Sequence, residues 1–394
     1  MVKRGLQEAG VARATLRQAF SQGKLGTCAD APSPKLAIII TAYKRQQYLQ
    51  SAVRSALNQS IPRNQYEVVV IMGFRNAQIE SQLESLAVPF LFDDSPGIGA
   101  QILLAAAHTK APLIAFLDDD DEFVQSKVEL VLKEFQNCPG AAYYHNNTLS
   151  IDEFGRERPS TASVKHARTS GRPHVTHVKR LTDPRRIQNY LKATHAAHFS
   201  SCIVVTRSLI TETQSFISRL GTMATDVAMF AAALRVGGDM ILDERHLTRY
   251  RVHAANITRV PNRFSDAYLL SELTRVQNEL KGWSLIADFL DQGNTRALAN
   301  PFRLIAEMHA VQLDLLKGVR SRRMYLSRAQ RMRSLIKGLG PRWSLPSLLL
   351  TFTATIAPSV ALTAIRVMDA GFEYWPSRVL PTPSHGVSTR RRIH

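Results

Sequence analysis

Cysteine and acidic residues are both scarce in this chain, and each shortage excludes a class of protein. The 394 residues include three cysteines, Cys28, Cys138 and Cys202. An odd number with no metal-binding spacing argues against a disulfide framework and a zinc site, and it favours a reducing compartment. Asp and Glu total 32 against 50 for Lys and Arg, which gives a formal net charge of +18. That charge would suit a nucleic-acid-binding protein, but no basic motif interleaved with aromatic residues supports this class, so we expect no nucleic acid partner.

Two further features are missing near the N-terminus. Residues 1–29 are charged and amphipathic and lack the apolar run of a secretory signal, so we expect the folded domain in the cytoplasm. A glycine-rich loop is also missing after the first apolar run, where the sequence has Thr41-Ala42-Tyr43-Lys44. This argues against a nucleotidyltransferase, an enzyme class in which such a loop is expected.

One long uncharged stretch lies near the C-terminus, from Trp343 to Ile365, and it is 23 residues long. The length suffices for the ~20 residues that span a bilayer, but the stretch contains prolines, and basic residues flank it on both sides. We therefore expect a re-entrant or in-plane membrane-associated hairpin, with a buried helical subdomain as the alternative. Nine Lys or Arg residues and no acid lie between Leu315 and Arg342, which favours attraction to an anionic membrane surface.

Negative charge is concentrated at one place in this basic chain. Four consecutive aspartates, Asp118 to Asp121, directly follow the apolar run Leu113 to Leu117. Adjacent like charges cost free energy unless a cation or a hydrogen-bonded substrate offsets their repulsion. The apolar run indicates a buried strand, so the carboxylates emerge at its end, where α/β sheets bind ligands. The pattern predicts a metal site; the alternatives are a solvated turn, or capping by Asp121 and Glu122 of the helical segment Phe123 to Phe135.

The residues before the aspartates alternate between strand-like and helix-like patterns. Apolar runs and helical spacing predict, in order, a strand at Leu36 to Ile40, a helix at Tyr43 to Asn58, a strand at Tyr66 to Met72, a short strand at Val88 to Phe92 and a helix at Ile98 to His108. Alternation of this kind predicts an α/β domain with a mostly parallel sheet covered by helices.

Five segments in this order resemble the inverting glycosyltransferases of family 2, which share the nucleotide-sugar-binding GT-A fold. The segments are Ile38 to Arg45, Ser55 to Ser60, Gly97 to Lys110, Phe116 to Asp121 and Tyr250 to His253. The resemblance runs from about Lys35 to Arg259. It implies an enzyme that transfers a sugar from a nucleotide-sugar donor to an acceptor hydroxyl.

The resemblance implies a metal site at the aspartates. It makes Asp118 and Asp120 the DXD pair, although Asp119 and Asp121 are close enough for the assignment to shift by one. His253 matches a histidine that completes the metal or diphosphate site in many relatives, with a structural histidine as the alternative. A hard divalent cation, Mg²⁺ or Mn²⁺, would neutralise the charge on the departing nucleoside diphosphate.

The resemblance also implies a general base, Asp226, at the start of a helix within the segment Gly221 to Phe230. This carboxylate would take the proton of the acceptor hydroxyl while that oxygen attacks the anomeric carbon and inverts it. An N-cap is the alternative role, but Thr225 can cap the helix instead.

The nucleotide contacts depart from the family pattern. The second strand of the family usually ends in an Asp-Asp pair, whereas here Ile71 is followed by Met72-Gly73-Phe74. Asp93 and Asp94 are candidates for part of what is missing. We assign donor binding to Thr41, Tyr43, Arg45, Asp94, Gly97, Asp118 and Asp119.

The expected organisation has five parts. They are an N-terminal extension (1–34), a GT-A domain (35–260), a helical basic region (261–342), an apolar membrane-associated segment (343–365) and a basic tail (366–394). We expect a metal-dependent inverting transferase that acts at the cytoplasmic membrane face on a glycan or lipid-linked acceptor. A catalytically inactive scaffold is the alternative that the missing Asp-Asp pair leaves open.

Overall fold

The computed structural model describes residues 33–43, 46–95, 97–158, 175–184, 186–187, 196–221, 225–253, 266–319 and 321–336. Three predictions concern residues outside these ranges. They are the donor contact of Arg45, the membrane association of residues 343–365, and the extension and tail at the two ends of the chain.

Nine strands form one sheet. They are β1 (Leu36–Ala42), β2 (Tyr66–Met72), β3 (Phe90–Phe92), β4 (Leu113–Asp118), β5 (Glu122–Phe123), β6 (Ala141–Ile151), β7 (Val175–Val178), β8 (Ile203–Thr206) and β9 (Asp239–Arg251). The spatial order is β3-β2-β1-β4-β8-β6-β9-β5, and β7 pairs with β9. Strands β1 to β4 are parallel to one another, β8 runs antiparallel to β4 and β6, and β6 pairs in parallel with β9. The predicted α/β domain with its largely parallel sheet is confirmed.

Ten α-helices accompany the sheet in the described ranges. They are α1 (Gln46–Leu57), α2 (Ala77–Ser85), α3 (Ile98–His108), α4 (Lys127–Asn137), α5 (Arg207–Glu212), α6 (Gln214–Ile217), α7 (Thr225–Val236), α8 (Asp266–Leu290), α9 (Asn300–Leu316) and α10 (Arg322–Ile336). Short 3₁₀ turns lie at Arg63–Gln65, Ser200–Cys202 and Gly293–Ala299. Among the described helices, none is both long and apolar enough to cross a bilayer.

The central strands contain continuous apolar runs because both faces of the sheet are covered. In β1, Ile39 packs into one hydrophobic cluster while Ile38 and Ile40 pack into a second cluster on the opposite face. Successive side chains of a strand point to opposite faces, so a strand buried on both sides needs a continuous apolar run. Each such side chain contributes about 1.5–3 kcal/mol when fully buried.

The structure excludes one alternative, in which Asp121 and Glu122 cap a helical segment that begins at Phe123. Glu122–Phe123 is instead the short strand β5, which pairs antiparallel with β9. Helix α4 begins at Lys127, after Ser126. The helical spacing of the apolar residues did not reveal this start, because the strand pairing involves residues more than 120 positions later in the chain.

The helices that follow the sheet continue its core. Ile286 of α8 and Phe302 of α9 belong to the same hydrophobic cluster as the apolar side of α7. Helix α10 packs on α9 through Tyr325 and Met332. Residues on both sides of the predicted boundary at 260 therefore share one core.

Candidate active site

The candidate site lies at the carboxyl ends of β1 and β4. These strands are parallel, and Thr41 pairs in register with Asp118. Ligands of α/β sheets bind at this edge because successive loops meet there. The topology thus brings Thr41 and Tyr43 together with the aspartates, as the sequence predicts.

The four aspartates have different surroundings. Asp118 is partly exposed, whereas Asp119, Asp120 and Asp121 are at most 3% exposed. Asp118, Asp120 and Asp121 each offer one carboxylate oxygen, and the three oxygens lie within 4.8 Å of one another. The Oδ2 atom of Asp119 instead accepts a hydrogen bond from the backbone N–H of Tyr43, at 3.0 Å. Asp119 therefore ties the end of β4 to the end of β1, while the other three form a cluster.

The carboxylates of the acidic cluster are largely buried and repel one another. Burial raises the pKa of Asp121 well above its usual range, and the nearby charges of Asp120 and Asp118 raise it further. Hydrogen bonds from the Ser201 side chain and the Arg251 backbone act in the opposite direction. A cation bound among these carboxylates would remove the repulsion that raises this pKa.

The cluster fits a hard divalent cation. Carboxylate oxygens are the ligands that Mg²⁺ and Mn²⁺ prefer. An ion with bonds of about 2.1 Å holds opposite ligands roughly 4 Å apart, and the three oxygens lie within 4.8 Å. Inward movements of less than about 1 Å would bring them to bonding distance. Asp118, Asp120 and Asp121 are therefore the residues that would hold the ion, and Asp121 joins the pair that the sequence favours.

His253 lies beside this cluster. Its Nε2 atom is 3.0 Å from Oδ2 of Asp120, and both side chains are buried. The ring also packs against Tyr48, with 4.7 Å between ring centroids. In this arrangement Nε2–H donates to Asp120 and orients that carboxylate. Direct ligation by His253 stays a prediction.

A buried arginine, Arg251, is hydrogen-bonded to two residues of the aspartate cluster. Arg251 is 2% exposed. Its backbone N–H donates to Oδ1 of Asp121 at 3.0 Å, and its Nε donates to the carbonyl oxygen of Asp120 at 2.9 Å. Its guanidinium also pairs with Glu122. The sequence marks this residue as part of the family-like segment, and the structure shows that its positive charge partly offsets the acids.

Asp226 lies apart from the cluster, in the first turn of α7. Burial raises its pKa to about 6, although the backbone N–H groups of Val227 and Phe199 hold it lower than burial alone would. The Val227 amide is 2.7 Å from Oδ1. A carboxylate with a pKa near neutrality is well matched to proton transfer at physiological pH.

A turn before β8 connects the two acidic positions. The Oγ–H of Ser200 donates to Oδ2 of Asp118 at 2.6 Å, and Ser201 Oγ accepts from the backbone N–H of Asp118 at 3.0 Å. The amide of Phe199 contacts Asp226. Asp118 and Asp226 thus contact adjacent residues of one short turn. Ser200 and Ser201 are not among the site residues that the sequence predicts; two adjacent hydroxyls before an apolar run were the available signal.

The remaining predicted donor contacts are scattered around this edge. The Tyr43 side chain is 56% exposed and Asp94 is exposed. Gly97 has a structural reason to be glycine, because a Cβ there would lie 2.8 Å from the carbonyl oxygen of Leu220. The backbone of α3 approaches this segment closely, with Ile98 N–H donating to the carbonyl of Gly221 at 2.9 Å. Contacts of these residues with a donor stay predictions.

These features define a class: an α/β domain with a carboxylate cluster suited to a divalent cation and a separate buried carboxyl nearby. Residues 37–211 match the family described as Glycosyl transferase family 2. Over these residues the resemblance inferred from the sequence motifs is confirmed.

Curated relatives match part of the chain. An uncharacterized glycosyltransferase of Rickettsia bellii is 28% identical over 126 residues, which cover 31% of this chain and 18% of the relative. A chondroitin synthase of Pasteurella multocida is 29% identical over 156 residues, which cover 34% of this chain and 15% of the relative. The chain thus spans less than a fifth of the length of these relatives.

Solved structures are similar at low sequence identity. The mannosyltransferase PcManGT from Pyrobaculum calidifontis, in complex with GDP-Man and Mn²⁺, is 13% identical, with a TM-score of 0.45 over 96% of this chain and 92% of that chain. S. aureus TarS 1-349 in complex with UDP-GlcNAc is 11% identical, with a TM-score of 0.45 over 81% of this chain and 91% of that chain.

Proposed function

We propose that the protein transfers a sugar from a nucleotide-sugar donor to an acceptor hydroxyl, with inversion, and that it requires Mg²⁺ or Mn²⁺. The family match over residues 37–211 supports the class of reaction. The observation that carries the mechanism is the placement of Asp118 and Asp226 against adjacent residues, Ser200 and Phe199. A carboxylate that holds the cation for the leaving diphosphate and a carboxylate that accepts a proton must act on the same sugar, and the contact of both groups with one turn supports this pairing.

Asp226 is the general base of this proposal. It accepts the proton of the acceptor hydroxyl as the acceptor oxygen forms a bond to the anomeric carbon. The bond from that carbon to the diphosphate oxygen breaks at the same time, and attack from the opposite face inverts the configuration. The leaving group departs as a nucleoside diphosphate, so no covalent bond to the enzyme forms.

Asp118, Asp120 and Asp121 hold the divalent cation in this proposal. When bound, the ion neutralises charge that develops on the departing diphosphate. Ser200 and Arg251 keep the carboxylates in place through the contacts described above. Thr41 and Tyr43, at the end of β1, contribute to donor binding.

A donor screen tests the proposal. The full chain is mixed with a panel of nucleotide sugars, with Mn²⁺ or with EDTA, and thermal shift identifies the donor that binds. Release of nucleoside diphosphate is then measured with candidate acceptors, for the native protein and for Asp226→Asn. We expect metal-dependent release by the native protein and donor binding without release by the variant. Donor binding with neither transfer nor donor hydrolysis by the native protein would instead support an inactive scaffold.

We also propose a glycan or lipid-linked acceptor in the synthesis of a cell-surface polysaccharide or glycolipid. Two relatives are named chondroitin synthase and hyaluronan synthase, which supports a glycan acceptor. The basic C-terminal region supports an acceptor at a membrane. The test is the same release assay with oligosaccharides compared against polyprenyl-linked sugars in mixed micelles, and equal rates with both acceptors would contradict membrane specialisation.

We further propose cytoplasmic association with an anionic membrane surface through the basic residues 315–342 and the apolar segment 343–365. Arg322, Arg323 and Arg333 of α10 are exposed, and each basic residue near an anionic surface contributes about 1 kcal/mol to binding. The chain should sediment with phosphatidylglycerol vesicles and remain in solution with phosphatidylcholine vesicles. Charge reversal of the three arginines should weaken sedimentation, and unchanged binding would remove the electrostatic part of the proposal.

A further inference from the structure

The turn formed by Phe199, Ser200 and Ser201 has an unfavourable backbone. Phe199 has a φ of 62°, in the left-handed region that non-glycine residues rarely adopt. Such conformations persist where the surrounding structure enforces them, and they cluster at functional sites. The contacts that enforce this one are therefore informative.

A buried lysine is the main support of the turn. Lys127 is 1% exposed, at the start of α4. Its Nζ donates to the carbonyl oxygen of Ser201 at 2.5 Å and to Oγ1 of Thr248 at 2.8 Å. It also lies 3.7 Å from the centroid of the Phe123 ring. Lysine is almost never fully buried without paired partners, and here both hydrogen-bond acceptors are neutral oxygens next to the acidic cluster.

Further hydrogen bonds to backbone carbonyl groups stabilise the turn. The Oγ1–H of Thr248 donates to the Ser201 carbonyl at 2.9 Å, and the Cys202 N–H donates to the carbonyl of Phe199 at 2.8 Å. The Nε2 atom of His145 is 2.8 Å from the carbonyl oxygen of His198. The carbonyl groups of His198 and Ser201 are thus engaged by side chains from β6, β9 and α4, and a hydrogen bond within the turn engages the carbonyl of Phe199.

The turn contacts both Asp118 and Asp226, so its fixed backbone restricts the position of both carboxyl groups. Ser200 and Ser201 bind the side chain and the backbone of Asp118, while the Phe199 amide contacts Asp226. Consecutive Cα atoms are ~3.8 Å apart, so the spacing between these contacts is set by a single peptide unit.

We propose that the turn 199–201 is a positioning element that sets the distance between the cation-holding Asp118 and the base Asp226, and that Lys127 locks this turn. Ser200 and Lys127 are positioning residues that act through Asp118 and Ser201. The catalytic part of this inference rests on the proposed function, whereas the effect on cation binding does not depend on it.

Cation affinity is the first readout. Mn²⁺ is titrated into the full chain without donor, by calorimetry. Ser200→Ala removes the hydroxyl that orients Asp118, and loss of such a partner typically weakens metal binding 10–100-fold. Ser200→Thr keeps a hydroxyl and should restore most of the affinity. Ser208→Ala is the matched control, because Ser208 is exposed and its hydroxyl donates to the Thr206 side chain, away from the aspartates.

Lys127→Met tests whether the hydrogen bonds of Lys127 hold the turn in place. It keeps the length of the side chain but removes the donor to Ser201 and Thr248. We expect weaker Mn²⁺ binding together with a lower kcat at unchanged KM for the donor, at a temperature where circular dichroism shows native secondary structure. The acid limb of the rate profile should also move to higher pH, because a loosened Phe199 amide stabilises the Asp226 carboxylate less.

The outcomes separate this inference from the proposed function. If the native protein transfers no sugar but Ser200→Ala weakens Mn²⁺ binding at least tenfold, the positioning of Asp118 stands and the proposed reaction falls. If the native protein transfers sugar, while Ser200→Ala and folded Lys127→Met retain both Mn²⁺ affinity and kcat, the positioning role is overturned.

Discussion

Replacing the proposed base with its amide isostere should stabilise the protein while abolishing its reaction. Asp226 is 9% exposed and its pKa is raised from 3.8 to about 6 by burial. The fold therefore favours the protonated form, and ionisation at neutral pH opposes folding. Asp226→Asn keeps the shape of the side chain, never ionises, and keeps an oxygen that accepts from the Val227 amide.

The magnitude follows from the raised pKa. An unfolded aspartate titrates near ~3.9, so the shift is about 2 units, and each unit corresponds to ~1.4 kcal/mol. Because the folded pKa lies above the unfolded one, the stability linked to this group is fully present below about pH 4 and is lost as pH rises through about 6. Asp226→Asn should therefore gain up to about 3 kcal/mol over the native protein at pH 7 and gain little at pH 4.

Two assays check this prediction together. Urea unfolding at pH 4 and pH 7 gives the difference in unfolding free energy between the variant and the native protein. Transfer kinetics at pH 7 should show kcat lowered about 10²–10⁴-fold, the usual range for loss of a general base. Asp94→Asn is a matched control for stability, because Asp94 is exposed. A pH-independent stability difference, or full activity in Asp226→Asn, would refute the reasoning.

Three further predictions concern the surroundings of the site. Asp120→Ala should weaken Mn²⁺ binding at least tenfold by calorimetry, because it removes one of three clustered carboxylates; unchanged affinity would place the ion elsewhere. Arg251→Met should lower the unfolding free energy by about 3–5 kcal/mol, because it leaves buried carboxylates uncompensated, and a loss under 1 kcal/mol in urea unfolding would contradict this role. Gly99→Ala should be strongly destabilised in thermal unfolding, since its Cβ would lie 1.8 Å from the Ile217 carbonyl oxygen, whereas Gly221→Ala meets nothing within 4 Å and should unfold near the native temperature. Equal unfolding temperatures for the two glycine variants would count against this packing.

The sheet was predictable wherever burial alone determined the pattern. The central residues of β1, β2 and β4 form apolar runs because both faces of the sheet are covered there, and polar residues lie only near the strand ends, at Thr41, Glu67 and Asp118. Helix α3 begins and ends where its helical spacing predicts. The aspartates after β4 were visible because four like charges have no local structural reason to be adjacent.

The parts that escaped prediction depend on residues distant in sequence. Strand β5 forms because β9 lies beside it, and a local helical period cannot report that pairing. The Ser200 hydroxyl acquires its role through Asp118, 82 positions away, and Lys127 through Ser201, 74 positions away. At Gly97 the structure adds close backbone packing against Leu220, which involves residues more than 120 positions later, while the donor contact stays a prediction.

Metal-dependent sugar transfer with Asp226 as the base is tested most directly by nucleoside diphosphate release in the presence of acceptor. Release is measured for the native protein and for Asp226→Asn, with Mn²⁺ and with EDTA. We expect release by the native protein only when the metal is present, and donor binding without release by the variant. Equal release by both proteins, or undiminished release by the native protein in EDTA, would contradict it.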